Sequence, residues 1–526
     1  MVGAGPNGLV AANRLADAGW SVLVLEEQDD VGGAVRSDRG HDPDFVHDTF
    51  SAFYPLAVAS AALRGLDLER HGLVWEHAPA VLGHPRPDAP WAILHRDRDV
   101  TAALFEQQHA GDGEAWHELC RTWDVIGPAL IDAVTGPYPP LRAGASMLAR
   151  LPRVGGLDLV RDLLMPVATL GRDRFGGPGP GLLLAGNAGH ADLPIEGAGS
   201  GVFGLLLTML GQTVGYPVPR GGAGELSRAL RRRLEAAGGE VATGTAVRRV
   251  VVEGGRAVGV VTADGTRLGA RRAVLAAVAA PHLFGGLVDE VDLPSSVVRG
   301  MRRFDPGPGT VKVDWALDGP VPWAVPPPHA PGTVHVADSV ADLTVSLAEV
   351  EVGLVPRHPF LLAGQMTTSD PTRSPAGTES LWAYTHVPQP DRLVGDAAAD
   401  DDPAGGVVRG VWDADDLERF GDRIQARLER LAPGFGSRVR SRRVLGPHEL
   451  EARNANLIGG ALNGGTAQLH QQLLFRPVPA LLGRAGTGVR GLFLASASAH
   501  PGGGVHGSAG ANAARAALWH ARLRRR

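Results

Sequence analysis

The apolar positions near the start of the chain follow first a helical period and then a strand pattern. After the stretch VGAGPNG, an alanine- and leucine-rich segment that runs to about Ala18 predicts a helix. The apolar run WSVLVLE, which ends at Glu26, predicts a β-strand. Far along the chain, Leu226, Leu230 and Leu234 recur at the spacing of a second amphipathic helix. These elements predict alternation of helices and strands.

Further apolar runs follow that second helix and predict strands. EVATGTAVRRVVVE and RAVGVVTAD are separated by the turn Gly254-Gly255, and AVLAAV has the unbroken apolar character of a buried strand. Residues 492–495 predict another buried strand, which leads through a glycine-rich loop into a helix from about Ser508 to Arg522. The pattern therefore indicates an α/β fold whose distant segments return to one sheet.

Composition narrows the class of protein. A chain of 526 residues exceeds one ordinary core and favours two large domains. The net charge of −5 and the scattered arginines argue against nucleic acid as a partner. The single cysteine, Cys120, excludes a disulfide framework and favours a reducing cytoplasmic compartment. The longest apolar run, GVFGLLLTML at 201–210, is too short to span a bilayer, so we expect at most peripheral contact with a membrane.

The first glycine motif predicts a dinucleotide site. Gly3 permits a tight turn, Gly5 lets the backbone approach a pyrophosphate, and Gly8 allows close packing of the helix on the strand. Glu26 stands where a carboxylate can accept hydrogen bonds from a ribose diol, and it would repel a 2′-phosphate. NAD and FAD both satisfy this pattern. Only Met1 and Val2 precede Gly3, so we expect the native chain to start several codons upstream.

A second glycine pair favours FAD. Gly32 and Gly33 offer a second close approach to the pyrophosphate, and Arg36 offers a cation for it. Here the sequence resembles the flavin amine oxidase and phytoene desaturase superfamily, and most closely the bacterial phytoene dehydrogenase-like oxidoreductases. The segments GGAGEL, KVDWAL, NLIGGALNGG and HPGGGVHG carry the resemblance along nearly the whole chain. It implies a Rossmann-like FAD-binding domain with an interleaved α+β substrate domain that contains a mixed or antiparallel sheet.

The resemblance also implies roles for particular residues. The position of Val247 commonly meets the adenine through its backbone, although a plain strand residue explains it equally well. Gly503 and Gly504 belong to the loop before the last helix, whose N-terminal end lies beside the flavin ring in the superfamily. Asn512, in the first turns of that helix, is expected near the flavin or its ribityl chain.

Domain boundaries follow from where the nucleotide-binding elements lie. We predict a discontinuous FAD-binding domain over 1–79, 216–285 and 486–526, and a substrate domain over 80–215 and 286–485.

The sequence holds one lysine, and it lies in an apolar strand. Lys312 stands in TVKVDW, on the same strand face as Asp314, in a chain whose other basic residues are arginine. The segment resembles the amine oxidase strand whose lysine bonds through water to flavin N5, and Pro322-Trp323 follows it as in that family. A compact ammonium with an adjustable pKa suits such a role better than a guanidinium. Packing of a chance lysine at a sheet edge is the alternative.

Two other groups of residues suggest chemistry. His500 and His506 flank the C-terminal glycine loop and could exchange protons with substrate, or could cap the loop. The segment HDPDFVHD at 41–48 is rich in potential ligands, but its irregular spacing favours a polar connection, and we predict no metal.

Together these features predict an FAD-dependent oxidoreductase that removes a hydride from a C–H bond and passes electrons to oxygen, a quinone or another acceptor. The resemblance implies a lipophilic substrate, such as an isoprenoid or carotenoid-like chain, or another small molecule. Two alternatives stay open: a flavin amine oxidase that releases peroxide, and a flavin-binding regulatory protein without catalysis.

Overall fold

The computed structural model describes residues 1–87, 89–400 and 406–523. A parallel sheet occupies the part that carries the glycine fingerprint. Its strands are short and come from distant segments: β1 (Leu23–Leu25), β8 (Glu240–Ala242), β12 (Val274–Ala276) and β20 (Leu492–Leu494). β1 pairs with β8 and β12 pairs with β20, while Val2 bridges Leu25 on one side and Ala276 on the other. The order is therefore β8, β1, Val2, β12 and β20, with all pairs parallel.

The second sheet is larger, mixed and seven-stranded. In chain order its strands are β5 (Ala80–Arg86), β6 (Ala89–Leu94), β13 (Gly309–Leu317), β14 (Pro331–Val336), β16 (Leu361–Gln365), β17 (Glu379–Val387) and β19 (Val439–Leu445). They are ordered β19-β13-β17-β16-β14-β5-β6, and only the β14–β5 pair is parallel. The predicted fold class is confirmed: a Rossmann-like sheet accompanies a largely antiparallel one.

The remaining strands form small separate sheets of two or three strands. They are β2 (Ser37–Asp38), β3 (His47–Asp48), β4 (Trp75–Glu76), β7 (Val218–Pro219), β9 (Val247–Glu253), β10 (Arg256–Thr262), β11 (Arg267–Gly269), β15 (Leu354–Val355) and β18 (Gly395–Asp396). The run EVATGTAVRRVVVE, which the pattern predicts as one strand, is divided between β8 and β9. Gly244, at φ +62°, turns the chain between them, so the two halves join different sheets.

Helices cover both sheets. They are α1 (Pro6–Asp17), α2 (Pro55–Ala59), α3 (Ala61–Arg64), α4 (Arg98–Gln108), α5 (Asp112–Thr135), α6 (Leu141–Arg150), α7 (Leu157–Leu164), α8 (Val167–Arg174), α9 (Pro178–Gly189), α10 (Ser200–Val214), α11 (Gly224–Ala236), α12 (Ala280–His282), α13 (Ser295–Met301), α14 (Val340–Glu351), α15 (Met366–Ser369), α16 (Ala414–Leu431), α17 (Pro447–Arg453) and α18 (Ser508–Leu523). Among the described residues, no helix combines the length and the apolarity that crossing a bilayer requires.

Each sheet has its own apolar core. α1, α11 and α18 bury their leucine and alanine faces against the parallel sheet, and the predicted leucines Leu226, Leu230 and Leu234 are all buried there. α16 packs Phe420, Ile424 and other apolar residues on one face of the mixed sheet, while α9 and α10 cover the other face. The predicted domain boundaries stay a proposal, although β5 begins directly after residue 79 and belongs to the mixed sheet.

Two histidines are buried between the mixed sheet and α9. His84 on β5 and His335 on β14 lie edge to face with ring centroids 5.0 Å apart, and both are completely buried. Gly186 of α9 leaves them room, because a Cβ there would fall 2.5 Å from a His335 ring nitrogen. Their ring nitrogens contact no hydrogen-bonding partner among the described residues. Burial lowers the pKa of His84 to about 3 and takes the pKa of His335 well below its ordinary value, so both are neutral at pH 7.

We predict an acid-sensitive fold on this basis. In the unfolded chain His84 takes up a proton near pH 6.5, but in the fold it does so only near pH 3, so the free energy of unfolding falls as the pH drops through that window. Each pKa unit corresponds to about 1.4 kcal/mol. In urea unfolding between pH 7 and 4, His84→Leu should lose stability less steeply than the wild type, while His448→Leu, at an exposed position, should not change the slope. Equal slopes for all three proteins would contradict the prediction.

Candidate functional site

The first glycine turn packs backbone directly on backbone. Gly3 has φ +89°, and a Cβ on Gly8 would lie 2.3 Å from the carbonyl oxygen of Gly3. α1 therefore begins in contact with the strand end. Gly5 is its N-cap residue, no side chain caps the helix, and its first turn has no acidic residue. The N–H groups at this end are thus available to an anion such as a pyrophosphate.

Glu26 follows β1 and faces the same turn. Its carboxylate accepts hydrogen bonds from the backbone N–H groups of Ala4 at 2.6 Å and Gln28 at 3.1 Å. The residue is buried, and that burial raises the pKa of its carboxyl group against the effect of the two hydrogen bonds. Because each carboxylate oxygen has two lone pairs, both can still accept a hydrogen bond from a hydroxyl group.

The second glycine pair touches the first turn, as its predicted role requires. Gly32 donates a hydrogen bond to the Ala4 carbonyl at 3.0 Å, and a Cβ on Gly33 would lie 3.1 Å from the Cα of Gly5. The side chain of Arg36 passes beside Gly32, where a Cβ would lie 2.8 Å from its Cγ. Its guanidinium donates to the carbonyl oxygen of Arg453 at 2.8 Å, so its role towards a pyrophosphate stays a prediction.

A cavity of about 530 Å³ opens beside Gly5, Gly8 and Gly33, which are here called the glycine cradle. Eight residues predicted from the sequence line it: Gly5, Gly8, Gly33, Lys312, His500, Gly503, Gly504 and His506. The other predicted residues, Gly3, Glu26, Gly32, Arg36, Val247 and Asn512, are not among its lining residues. Gly3, Glu26 and Gly32 belong to the turn or hydrogen-bond to it, but they do not face the cavity.

Val247 and Asn512 lie apart from the cavity. Val247 begins β9 and is half-buried, packed against the core that surrounds Val2. Asn512 donates a hydrogen bond to the carbonyl oxygen of Gly136 at 3.3 Å. Neither contact excludes a cofactor role, and neither supports one.

The two histidines at the C-terminal loop are neutral at pH 7. Burial lowers the pKa of both His500 and His506 to about 4. His506 Nδ1 accepts a hydrogen bond from the Ser508 N–H at 3.0 Å, which caps the start of α18. His500 Nε2 lies 3.0 Å from the carbonyl oxygen of Gly136 and can bond it only as a donor. Both therefore hold loops in place, and both also line the cavity.

Lys312 enters the cavity wall from β13. It is 3% exposed, and its ammonium pairs with Asp314 and lies 5.9 Å from the ring of Trp382. Burial lowers the pKa of Lys312, and the neighbouring Asp314 opposes that change. Asp314 is shared, because Arg443 also donates to it at 2.8 Å and reaches Asp38 at 2.8 Å. The predicted strand face is correct, since Val311, Val313 and Trp315 pack into the core on the other side.

Several proteins are similar to this chain over nearly its full length. Residues 1–79 match the family described as NAD(P)-binding Rossmann-like domain, and residues 148–358 match flavin containing amine oxidoreductase. Pyridine nucleotide-disulfide oxidoreductase domain-containing protein 2 of Mus musculus is 28% identical across 98% of this chain and 92% of its own length. Phytoene desaturase (lycopene-forming) of a Paracoccus species is 26% identical across 97% and 94%.

Solved structures share the fold. An oxidoreductase from Methanosarcina mazei covers 98% of this chain and 99% of its own, with a TM-score of 0.61 and 15% identity. Wild-type putrescine oxidase bound to putrescine covers 100% and 98%, with a TM-score of 0.58 and 19% identity. The chain is a flavin-dependent oxidoreductase, and its residues 148–358 match the flavin containing amine oxidoreductase family.

FAD is the cofactor of this oxidoreductase, and the cradle suits it. The uncapped start of α1, the contact between Gly5 and Gly33, and Glu26 behind the turn would hold the pyrophosphate and ribose. When bound, FAD supplies the two-electron acceptor, and the chain supplies orientation and charge. No group of three or more His, Cys, Asp or Glu residues in the described parts of the chain is arranged to hold a metal. The rings of His41 and His47 lie 4.5 Å apart at a tilt of 44°.

Several cavity residues escaped prediction from the sequence. Asp192 and His386 form a buried pair at 3.0 Å, and Asp192 also bonds Asn463. Tyr384 and Trp382 of β17 stack at 5.9 Å on the same wall. Asn463 lies in NLIGGALNGG, one of the segments that carry the resemblance to the superfamily, and this was the one signal for it. The Asp192–His386 contact joins residues almost two hundred positions apart, and no local pattern reveals it.

Proposed function

We propose that the protein removes a hydride from a C–H bond of a neutral, lipophilic substrate. The observation that carries this proposal is the lining of the cavity beyond the glycine cradle. It is mostly aliphatic and aromatic: Phe53, Leu56, Val134, Val202, Phe203, Leu206, Leu207, Leu457, Leu462, Leu469 and Leu473. Such a wall binds apolar chains through burial of surface and offers little to a strongly hydrated group.

The charges of the cavity favour a neutral substrate over an amine. Among the lining residues the one carboxylate is Asp192, which His386 and Asn463 already hold. Lys312 is paired with Asp314, so this ion pair offers no free carboxylate to a protonated amine. The names of three relatives agree with this choice, since they describe a phytoene desaturase, a hydroxyneurosporene desaturase and a component of limonene dehydrogenase.

A substrate screen tests this proposal. Anaerobic mixing of the FAD-loaded protein with acyclic isoprenoid polyenes in detergent should bleach the flavin absorbance, whereas a panel of primary amines should leave it unchanged. Asp192→Asn should keep the activity on polyenes, because that carboxylate is not needed to bind a neutral chain. Bleaching by amines, followed by release of peroxide once oxygen is admitted, with both lost in Asp192→Asn, would establish the amine oxidase alternative instead.

We infer that Lys312 acts on the chemistry through a compact ammonium charge, which a guanidinium does not reproduce. A fixed cation in a dry wall favours the arrival of negative charge on a bound acceptor and favours its reoxidation by oxygen or a quinone. The ammonium is held by Asp314, which keeps Arg443 as a second partner when the lysine is removed. The site can therefore lose this charge without leaving a carboxylate unpaired.

Stopped-flow measurements of both half-reactions check this role. Lys312→Met and Lys312→Arg should keep FAD bound but slow flavin reduction or reoxidation severalfold. Thr310→Val, on the same strand and in the same wall, changes no charge and should leave both rates unaltered. Wild-type rates in both Lys312 variants would remove Lys312 from the mechanism.

We also propose peripheral contact with an anionic bilayer, for a protein that otherwise resides in the cytoplasm. The surface in question, here called the leucine rim, comprises Leu141, Leu148, Leu157, Leu164, Leu469 and Leu473. These side chains are between 45% and 82% exposed. Scattered exposed leucines are normal, but a contiguous set marks an interaction site.

The rim is continuous with the mouth of the cavity. Leu469 and Leu473 line the cavity and are also exposed. Gly199 donates a hydrogen bond to the Leu164 carbonyl at 2.7 Å, and a Cβ on Gly199 would lie 2.8 Å from Leu469. Between residues 137 and 157 the sequence carries three arginines and no acidic residue. Apolar side chains flanked by positive charge suit an anionic lipid surface.

Sedimentation with vesicles tests the rim. The wild type should pellet with vesicles of phosphatidylcholine and phosphatidylglycerol, and a Leu141→Asp, Leu157→Asp double variant should bind them roughly tenfold or more weakly, because two leucines no longer enter the lipid. Val291→Asp alters an equally exposed apolar side chain outside the rim and should bind normally. Absence of wild-type binding to both anionic and neutral vesicles would refute membrane contact and leave a protein partner as the occupant.

A further inference from the structure

Arg476 is a buried arginine behind one wall of the cavity. Its side chain is 1% exposed. The guanidinium donates to the carbonyl oxygens of Asn463 at 2.7 Å, Thr466 at 3.0 Å and Ala497 at 2.8 Å. A longer bond of 3.3 Å reaches the carbonyl of Gly465, and Nε donates to Ala497 as well. The guanidinium therefore ties two separate loops together through their backbones.

The positive charge of Arg476 has no carboxylate partner among the described residues. Arg373 provides the contrast, since it is equally buried but pairs with Asp48 and Asp370, each at 2.9 Å. Carbonyl dipoles satisfy the hydrogen bonds of Arg476 but leave its net charge in place. Burial lowers the pKa of Arg476 to about 10, so the group stays protonated at neutral pH.

The loops that Arg476 holds form the cavity wall. Asn463, Gly464, Ala497 and Ser498 all line the cavity. A Cβ on Gly502 would lie 3.2 Å from the guanidinium carbon, so no side chain stands between Arg476 and the loop that carries Gly503 and Gly504. The same charge contributes, after burial, to the lowered pKa values of His500 and His506, both of which line the cavity.

This wall and the glycine cradle face one cavity. The cradle at Gly5, Gly8 and Gly33 lines the same cavity as the wall formed by residues 496–506. With its pyrophosphate at the cradle, FAD would extend into the cavity beside that wall. Two-electron reduction with uptake of one proton leaves one negative charge on the cofactor, and a nearby unneutralised cation in a water-poor site stabilises that charge.

We propose that Arg476 is an electrostatic positioning residue of the FAD site, whose unpaired positive charge, held one glycine loop behind the cavity, raises the midpoint potential of the bound cofactor. This goes beyond the proposed substrate, because it concerns the affinity of the protein for electrons whatever donor supplies them. The role is separate from that of Lys312, whose charge is offset by Asp314.

The test measures the midpoint potential of bound FAD and the affinity of the oxidised protein for sulfite, a probe that adds to flavin and places a negative charge on it. Arg476→Met should shift the balance between oxidised and reduced FAD at least tenfold towards the oxidised form, which is about 30 mV for a two-electron couple. It should also weaken sulfite binding tenfold or more. Arg476→Lys, which keeps the charge but loses the fork of hydrogen bonds, should stay close to the wild type in both measurements.

A matched control separates charge from structure. Arg427 is also a buried arginine, but it pairs with Asp342 at 2.7 Å and does not line the cavity, so Arg427→Met should leave the potential unchanged. A wild-type potential and sulfite affinity in FAD-loaded Arg476→Met would overturn the proposal, as would equal losses in the Met and Lys variants. If neither variant folds, the wild type decides: its reduced flavin should remain anionic down to pH 6, and a spectrum of neutral reduced flavin at pH 7 would overturn the proposal.

Discussion

Backbone contacts that leave no room for a side chain hold the cofactor half of the molecule together. Gly8 lies so close to Gly3 that a Cβ would approach its carbonyl oxygen to 2.3 Å, and a Cβ on Gly510 would fall 1.8 Å from the carbonyl oxygen of Asn7. α1 is thus fixed between the strand end and α18. Since the orientation of α1 sets where its free N–H groups point, the anion site, the cavity beside it and the last helix all depend on these few glycines.

The buried charges of the molecule divide into two kinds. Lys312 belongs to a network in which Asp314, Arg443 and Asp38 alternate in sign, and such a network is close to neutral as a whole. Arg476 is solvated by carbonyl dipoles alone. Burying an unpaired charge costs free energy, and a fixed backbone is needed to hold the dipoles that solvate it. The charge of Arg476 lies where bound FAD would be stabilised by its field.

Local signals explain what could be predicted from the sequence. The fingerprint from Gly3 to Glu26 is compact and its glycines have separate steric tasks: Gly3 has a positive φ and Gly8 packs on Gly3, while the approach of Gly5 to a pyrophosphate stays a prediction. Lys312 stood out because the chain contains no other lysine. Arg476 gave no such signal, because one arginine among fifty in a chain that uses arginine everywhere is indistinguishable until its partners are known.

Contacts between distant segments could not be predicted. The parallel pairing of β5 with β14 joins residues about 250 positions apart, and the Asp192–His386 pair joins residues almost two hundred positions apart. The division of residues 240–253 between two sheets turns on a single glycine with a positive φ, and the apolar pattern alone does not contain that information. Arg36 follows the glycine pair in the sequence, but its guanidinium donates to the Arg453 carbonyl oxygen, a contact that the sequence does not reveal.

The parallel sheet has a consequence for how the protein is made. Its strands come from positions near 2, 24, 241, 275 and 493, and the last of them continues into the loop that forms one wall of the cavity. During synthesis the early strands must wait for nearly five hundred residues to emerge before the sheet can close. A chain that has left the ribosome only in part therefore has no complete pocket, so flavin capture is expected to be a late, post-translational step. Supply of the vitamin-derived cofactor then acts on the finished chain and governs how much of it escapes proteolysis.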